Sequence, residues 1–394
     1  AAAALEAKSS ARAATLRYAS GQNSDFNNYR RPRLDSTADA DPNLSLLVAS
    51  DLSSGQPIGS LMQYAAHPTA IGTGSGGAAG RAVHADYILG ATRKLEQTFG
   101  GSALYYNGPI ADASGSGGPG GGADDYENVR RRGDALAQAA INFFNAKSTL
   151  IRPKLALSSR EVTLPVTNPL FLAIGLAGGF NKYYDFAMLP FKDIPGIGPM
   201  AAAQQSNLPQ LTPTARTLVT RLTLGGTTGS NRMEIVTIPG EATNSFGQYI
   251  RKLASTPNVM LFGLTQNSFG YILPEDEFSY VNPDGDAGFV LPFTGYEEFV
   301  SLGPMTAPLL RSEGYNLLFG QPQSADVPPS VAACQSGDVF KNGCILGRLA
   351  QYPDYVQKAY ARTCRDNDLD PAFCALLDPE TPLYQPCKDQ NAPD

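Results

Sequence analysis

Basic side chains are scarce in this sequence and nowhere concentrated. Lys and Arg number 30 against 36 Asp and Glu, for a net charge of −6. Grip on a nucleic-acid backbone needs clustered Lys and Arg, so no nucleic-acid partner is expected. The densest groups, Arg30, Arg31 and Arg33 and the run Arg130 to Arg132, are short and flanked by acids, as solvated faces are. Long apolar runs are also missing. A membrane-crossing helix needs roughly 20 consecutive apolar residues. The most apolar stretch, PLFLAIGLAGGF at 169–180, is too short and is broken by glycines. It reads as a buried segment or as a surface that touches lipid. Cysteine is absent before position 334, and no CxxC pair occurs, which argues against a zinc ribbon. There is no GxSxG elbow, no HExxH and no phosphate loop ending in GK[ST].

What is present describes a folded, loop-rich chain. Its 394 residues are 42 % apolar, with 40 glycines and 30 prolines. That is enough chain for a large core. The five cysteines, Cys334, Cys344, Cys364, Cys374 and Cys387, crowd the last 61 residues. Clustered in a Pro-rich tail, they suggest disulfides and an oxidising compartment: secreted, periplasmic or cell-surface. Their odd number leaves one thiol free or paired with something outside the chain. The opening AAAALEAKSSARAA, without Met, reads as a mature or cut fragment.

The patterning is of the α/β class, with mixed sheet layers and flanking helices. Residues 1–20 read as a short helix. LSLLVAS (44–50) and GSLMQYAA (59–66) read as a strand hairpin leading into His67. Residues 86–99 and about 125–146 have helical period, and 103–106 is a short strand. Between them lies the glycine-rich loop NGPIADASGSGGPGGGAD at 107–124. From 151 to 238, apolar alternation predicts antiparallel strands with an inserted excursion at 168–213. A helix over 241–254 and a strand over 259–264 follow. The expected organisation is a catalytic domain at 1–330 and a Cys-rich extension at 331–394.

Few residues offer chemistry. His67 follows an apolar strand, where a neutral imidazole makes a good zinc ligand, although taken alone a satisfied core histidine reads as well. Glu241, in IPGEAT, sits after a strand at the expected first turn of a helix. A carboxylate is favoured there, and an ordinary capping acid reads as well. Ser114 lies in the glycine-rich loop, where backbone N–H groups approach a substrate oxygen closely. A surface loop is the bland alternative. Nothing local marks Tyr271 or Tyr296.

Taken in order, IGSLMQYAAHPT, NGPIADASG, IPGEATNSFGQYIRKL, FGLTQNSFGYILPEDEF and TGYEEFVSLGPMTAPLL make a series. It resembles the neutral/alkaline, non-lysosomal ceramidase family over roughly residues 5–310. The resemblance implies a zinc-dependent amidase. By it, His67, Glu241 and Tyr271 bind Zn²⁺, Ser114 is the active-site serine in Asp112-Ala113-Ser114, and Tyr296 contacts the reacting group. Arg30, within NNYRRPR, matches the family's arginine less securely.

The sequence departs from that pattern in places. The family's upstream Thr-His-Thr-His-Ser segment, which carries its first zinc histidine, does not occur. An N-terminal fragment carrying that histidine is therefore an expected partner. Ala111 precedes Asp112 and Gly115 follows Ser114, where the family has Gly and Pro. His84 stands where the family has a small residue. The tail does not read as the family's C-terminal β-sandwich. The expected reaction is hydrolysis of an N-acyl amide in ceramide or a related lipid, with peripheral membrane contact through the apolar run at 169–180. The alternatives are an amidase or esterase of another substrate on the same scaffold, and a non-catalytic surface or assembly protein.

Overall fold

The computed structural model describes residues 2–29, 41–71, 84–115, 125–168, 186–187, 214–226, 231–275, 278, 296–330, 350–352, 355–356 and 358–359. Arg30, the five cysteines and the apolar run at 169–180 lie outside them. In chain order the elements are α1 (Ala2–Ser9), β1 (Ala14–Gln22), β2 (Asn27–Tyr29), β3 (Asn43–Asp51), β4 (Pro57–Tyr64), α2 (Asp86–Phe99), β5 (Ser102–Asn107), β6 (Ala113–Gly115) and α3 (Asp125–Lys147). Then come β7 (Thr149–Ile151), β8 (Leu155–Pro165), β9 (Phe186–Ala187), β10 (Thr214–Leu224), β11 (Met233–Thr237) and β12 (Glu241–Ala242). The last group is α4 (Asn244–Leu253), β13 (Val259–Phe262), β14 (Tyr271–Ile272), α5 (Tyr296–Phe299) and α6 (Thr306–Leu309), which runs into a π-helical segment, Leu310–Asn316.

Two sheets form the centre. One has the strand order β5-β4-β3-β1-β7, the other β13-β11-β10-β8 with β9 beside β10. Most neighbours are antiparallel, including the expected β3–β4 hairpin and the β8–β10–β11 run. The exceptions are β4–β5 and β11–β13, which are parallel. The expected helix over 1–20 is corrected. It ends at Ser9, and β1 begins at Ala14 and pairs with β3 along its whole length. The Ala-rich start favours helix locally, but propensity is a weak prior against nine residues of sheet pairing.

Strand alternation explains the layering, because successive side chains leave opposite faces. Tyr18, Leu47 and Leu61 of the first sheet meet Met233, Ile235 and Met260 of the second in one apolar cluster. Their alternate neighbours point away. Leu44, Leu46, Val48, Met62 and Tyr64 pack under α2 and α3. On the far side, Val236, Val259 and Leu261 pack under α4, α6 and the π-helical segment. The result is four layers, helix–sheet–sheet–helix. Tyr352, Tyr355 and Val356, from beyond position 331, also pack into the second of these outer cores.

The α2–α3 pair crosses closely through glycines. A Cβ at Gly90 would lie 2.0 Å from the Arg130 carbonyl oxygen, and one at Gly133 would lie 1.9 Å from that of Tyr87. The obstacle is helix backbone in both cases, so it cannot swing aside. Gly133→Ala is expected to destabilise the fold by about 2 kcal/mol through overpacking. A chemical-denaturation midpoint equal to wild type would show that the helices do not meet this way.

Candidate active site

The two parallel strand pairs deliver the candidate residues. β4 runs out through Ala65 and Ala66 to His67, and β5 runs out through Asn107 and a short loop to β6, the strand that holds Ser114 in place of the expected loop. β11 leads to Glu241, and β13 leads by way of a short loop to Tyr271. The C-terminal ends of these pairs are joined. Gly263 N–H donates to the Asn107 carbonyl (2.9 Å), and Ala111 N–H donates to the Ala242 carbonyl (3.0 Å). Loops carried on the ends of rigid strands are where reactive groups are best positioned.

The chain segments then meet pairwise. His67 and Ser114 form a parallel bridge. In it the His67 N–H donates to Ala113 O at 2.9 Å and the Gly115 N–H to His67 O at 3.3 Å. Glu241 and Tyr271 are register partners in the parallel β12–β14 pair, so their side chains leave the same face. His67 Nε2 lies 3.6 Å from Glu241 Oε1. The Tyr296 ring stands edge-on to Tyr271, centroids 5.6 Å apart. Five residues scattered over 230 positions, His67, Ser114, Glu241, Tyr271 and Tyr296, are thus linked to one region. Arg30 lies outside the described residues, but β2 ends one residue before it, with Asn28 opposite Ser114 and Tyr29 opposite Ala113.

Exposure grades across the site. The side chains of Glu241 and His67 are 15 % and 30 % exposed. Tyr271 is buried, whereas Tyr296 is 67 % exposed and forms the outer edge. The turn before Tyr271 requires Gly270, whose φ is +77° and whose Cβ would lie 2.0 Å from Val300 O. One expectation is corrected. Glu241 is not in the first turn of a helix but in β12, three residues ahead of α4. Its sheet register with Tyr271 positions it, rather than the helix end.

The N-terminus of α2 clamps the His67 segment from below. Tyr87 Oη–H donates to Ala66 O at 2.5 Å, and Tyr87 and Tyr105 hydroxyls are 2.7 Å apart. Burial pushes both phenols well above their ordinary range, so they keep their protons and stay hydrogen-bond donors. Asp86 adopts φ +51°, a region an Asp visits at some cost, and accepts Ile71 N–H at 3.0 Å. His84 Nδ1 accepts the Asp86 N–H at 3.1 Å, and its ring meets Tyr126 edge-on. It serves the start of α2. From the sequence alone Asp112 stands out only as part of a motif and Asp86 only as a helix start, whereas Asn244 and Tyr87 do not stand out. Their one local signal was position, each being a polar or aromatic residue at a helix start or beside a candidate.

These features define a mixed α/β protein with a polar site at the C-terminal ends of two parallel strand pairs. No family model matches the sequence, and no curated protein matches it. Solved structures match its fold. A neutral ceramidase from Pseudomonas aeruginosa superposes with a TM-score of 0.50 at 17 % identity, covering 84 % of this chain and 57 % of that one. A ceramidase complexed with C2 gives a TM-score of 0.47 at 17 % identity, covering 80 % and 55 %. The fold is neutral-ceramidase-like, and the chain spans 57 % of the length of the first of these structures.

Proposed function

We propose that this chain is a catalytic domain that hydrolyses the N-acyl amide bond of a ceramide or related N-acyl lipid with the help of zinc, releasing a fatty acid and an amine. The observation that carries the proposal is the meeting of His67, Ser114, Glu241, Tyr271 and Tyr296 around one region. The fold shared with a neutral ceramidase supports it.

The residues suit zinc. Bonds of about 2.1 Å at a tetrahedral angle place two ligand atoms about 3.4 Å apart. His67 Nε2 and Glu241 Oε1 are separated by 3.6 Å. Imidazole, carboxylate and phenolate are nitrogen and oxygen donors of the kind zinc takes. Among the described residues, no three His, Cys, Asp or Glu side chains cluster to hold an ion. A site here therefore calls on Tyr271, and we include in the proposal a histidine from an N-terminal segment. When bound, zinc polarises a carbonyl and lowers the pKa of water toward about 7.

The chain's own groups supply the rest. Ser114, joined to His67 by the backbone bridge, would attack or orient the amide. Tyr296, exposed at the rim, offers a hydroxyl to the carbonyl oxygen as negative charge develops there. Arg30, next along from β2, would add a positive charge to the same oxygen. Export to an oxidising compartment and peripheral contact with a lipid surface belong to the proposal. Among the described residues no helix is long and apolar enough to cross a membrane.

Fatty-acid release from long-chain ceramide, a short N-acyl amide and the corresponding ester tests the substrate. Ceramide is expected to be preferred by at least tenfold in kcat/KM. Equal or better turnover of the short amide or ester would assign the scaffold another substrate. No turnover of any of the three would leave a non-catalytic role.

A further inference from the structure

Ser114 is bracketed by a ring of contacts, three of its links buried hydrogen bonds and the last a strand pairing, and one side chain joins its ends. Two residues before Ser114, Asp112 Oδ1 accepts the backbone N–H of Asn244 at 2.8 Å and its side-chain Nδ2–H at 2.6 Å. Asn244 Oδ1 in turn accepts the Asp41 N–H at 2.6 Å. The Asp41 carbonyl accepts Asn27 Nδ2–H at 2.8 Å. Asn27, on β2, faces Gly115, one residue after Ser114. Asp112, Asn244 and Asp41 are fully buried, and Asn27 is nearly so. Arg251, two turns along α4, anchors the ring by donating to Asp41 Oδ2 from Nε and Nη2 at 3.1 and 3.0 Å.

The chemistry of the joint is specific. Position 244 must donate to a carboxylate on one side and accept a backbone N–H on the other, and a carboxamide does both. An Asp would set carboxylate against carboxylate. Leu has the shape but neither group. Because Asn244 also stands three residues after Glu241, its bond to Asp112 ties the serine loop to the strand that bears the carboxylate.

We propose that Asn244 is a positioning residue for the reaction, holding the Ser114 backbone in register with His67 and Glu241. The inference rests on the functional reading above for its effect on turnover, but its structural content is measured separately. Asn244→Ala and Asn244→Ser are compared with wild type by steady-state kinetics on the hydrolysed substrate, by thermal unfolding, and by amide hydrogen exchange. In Asn244→Ala, kcat is expected to fall about 30-fold with KM within threefold, and Asn244→Ser to recover part of it. The amides of His67 and Gly115, which cross the bridge to Ala113 and His67, are expected to exchange at least tenfold faster, with those of β3 and β10 unchanged. Unchanged protection at His67 and Gly115 overturns the proposal. So does faster exchange throughout the chain with kcat per folded molecule retained, since that marks a merely structural residue. If wild type hydrolyses nothing, the functional reading fails, and the exchange result still decides whether Asn244 holds the serine loop.

Discussion

Glu241→Gln is expected to abolish activity, by at least 10³-fold in kcat/KM, and to weaken zinc binding by at least 100-fold. The substitution keeps shape and size and removes only the charge. A carboxamide oxygen is a far poorer partner for a divalent ion than a carboxylate, and catalysis that depends on a metal falls with its loss. Glu241 sits opposite Tyr271 in a two-residue strand pair, and that backbone register does not depend on the side-chain charge. The fold should therefore stay intact, which separates loss of the ion from loss of the protein. Zinc affinity, read by competition with a chromophoric chelator, and ceramide turnover are measured on the same preparation. Full affinity with lost turnover would make Glu241 an acid–base group instead of a ligand. Full turnover would remove it from the site.

Ser114→Ala is expected to do the opposite to the metal and nearly the same to the rate. Activity should drop at least 10³-fold, as when a nucleophile or a principal oxyanion contact is removed, while zinc binding stays within a factor of three. The reason is in the connectivity. The Ser114 segment meets His67 through backbone hydrogen bonds accepted by Ala113 O and donated by Gly115 N–H, so deletion of the Ser114 hydroxyl leaves the bridge in place. Loss of less than tenfold would leave Ser114 as a strand residue whose neighbours merely pair with His67.

Much of the architecture was legible because it follows from period. The alternation in β3 and β4 and the helical spacing from Asp86 to Phe99 each answer to one local rule, and the elements formed where the rule places them. At the start of the chain the alanines favour helix, but β1 is stabilised by β3 and β7, at positions a local reading does not weigh. Glu241 lies on a strand and not on a helix for a related reason. The pairing that holds it in β12 comes from Tyr271, which nothing near Glu241 announces.

The site shows the same division. Individually His67, Ser114, Glu241, Tyr271 and Tyr296 carried weak signals, and only their order along the chain suggested a common site. Their contacts in the fold are all between distant segments. The residues that hold them were not legible. Asn244 looks like any polar residue at the head of a helix until Asp112, 132 positions away, is brought against it. Asp41 ends a stretch with no periodic pattern, and its buried pairing with Arg251 spans 210 positions. Supporting contacts of this kind depend on topology, which no local pattern encodes.

The central claim is that His67 and Glu241 share a zinc ion. Crystals of the protein, supplied with zinc and measured on both sides of the zinc absorption edge, address it directly. The expected result is an anomalous peak bonded to His67 Nε2, a Glu241 carboxylate oxygen and the Tyr271 phenolic oxygen. His67 and Glu241 in direct contact, with no anomalous density between them at saturating zinc, would contradict it.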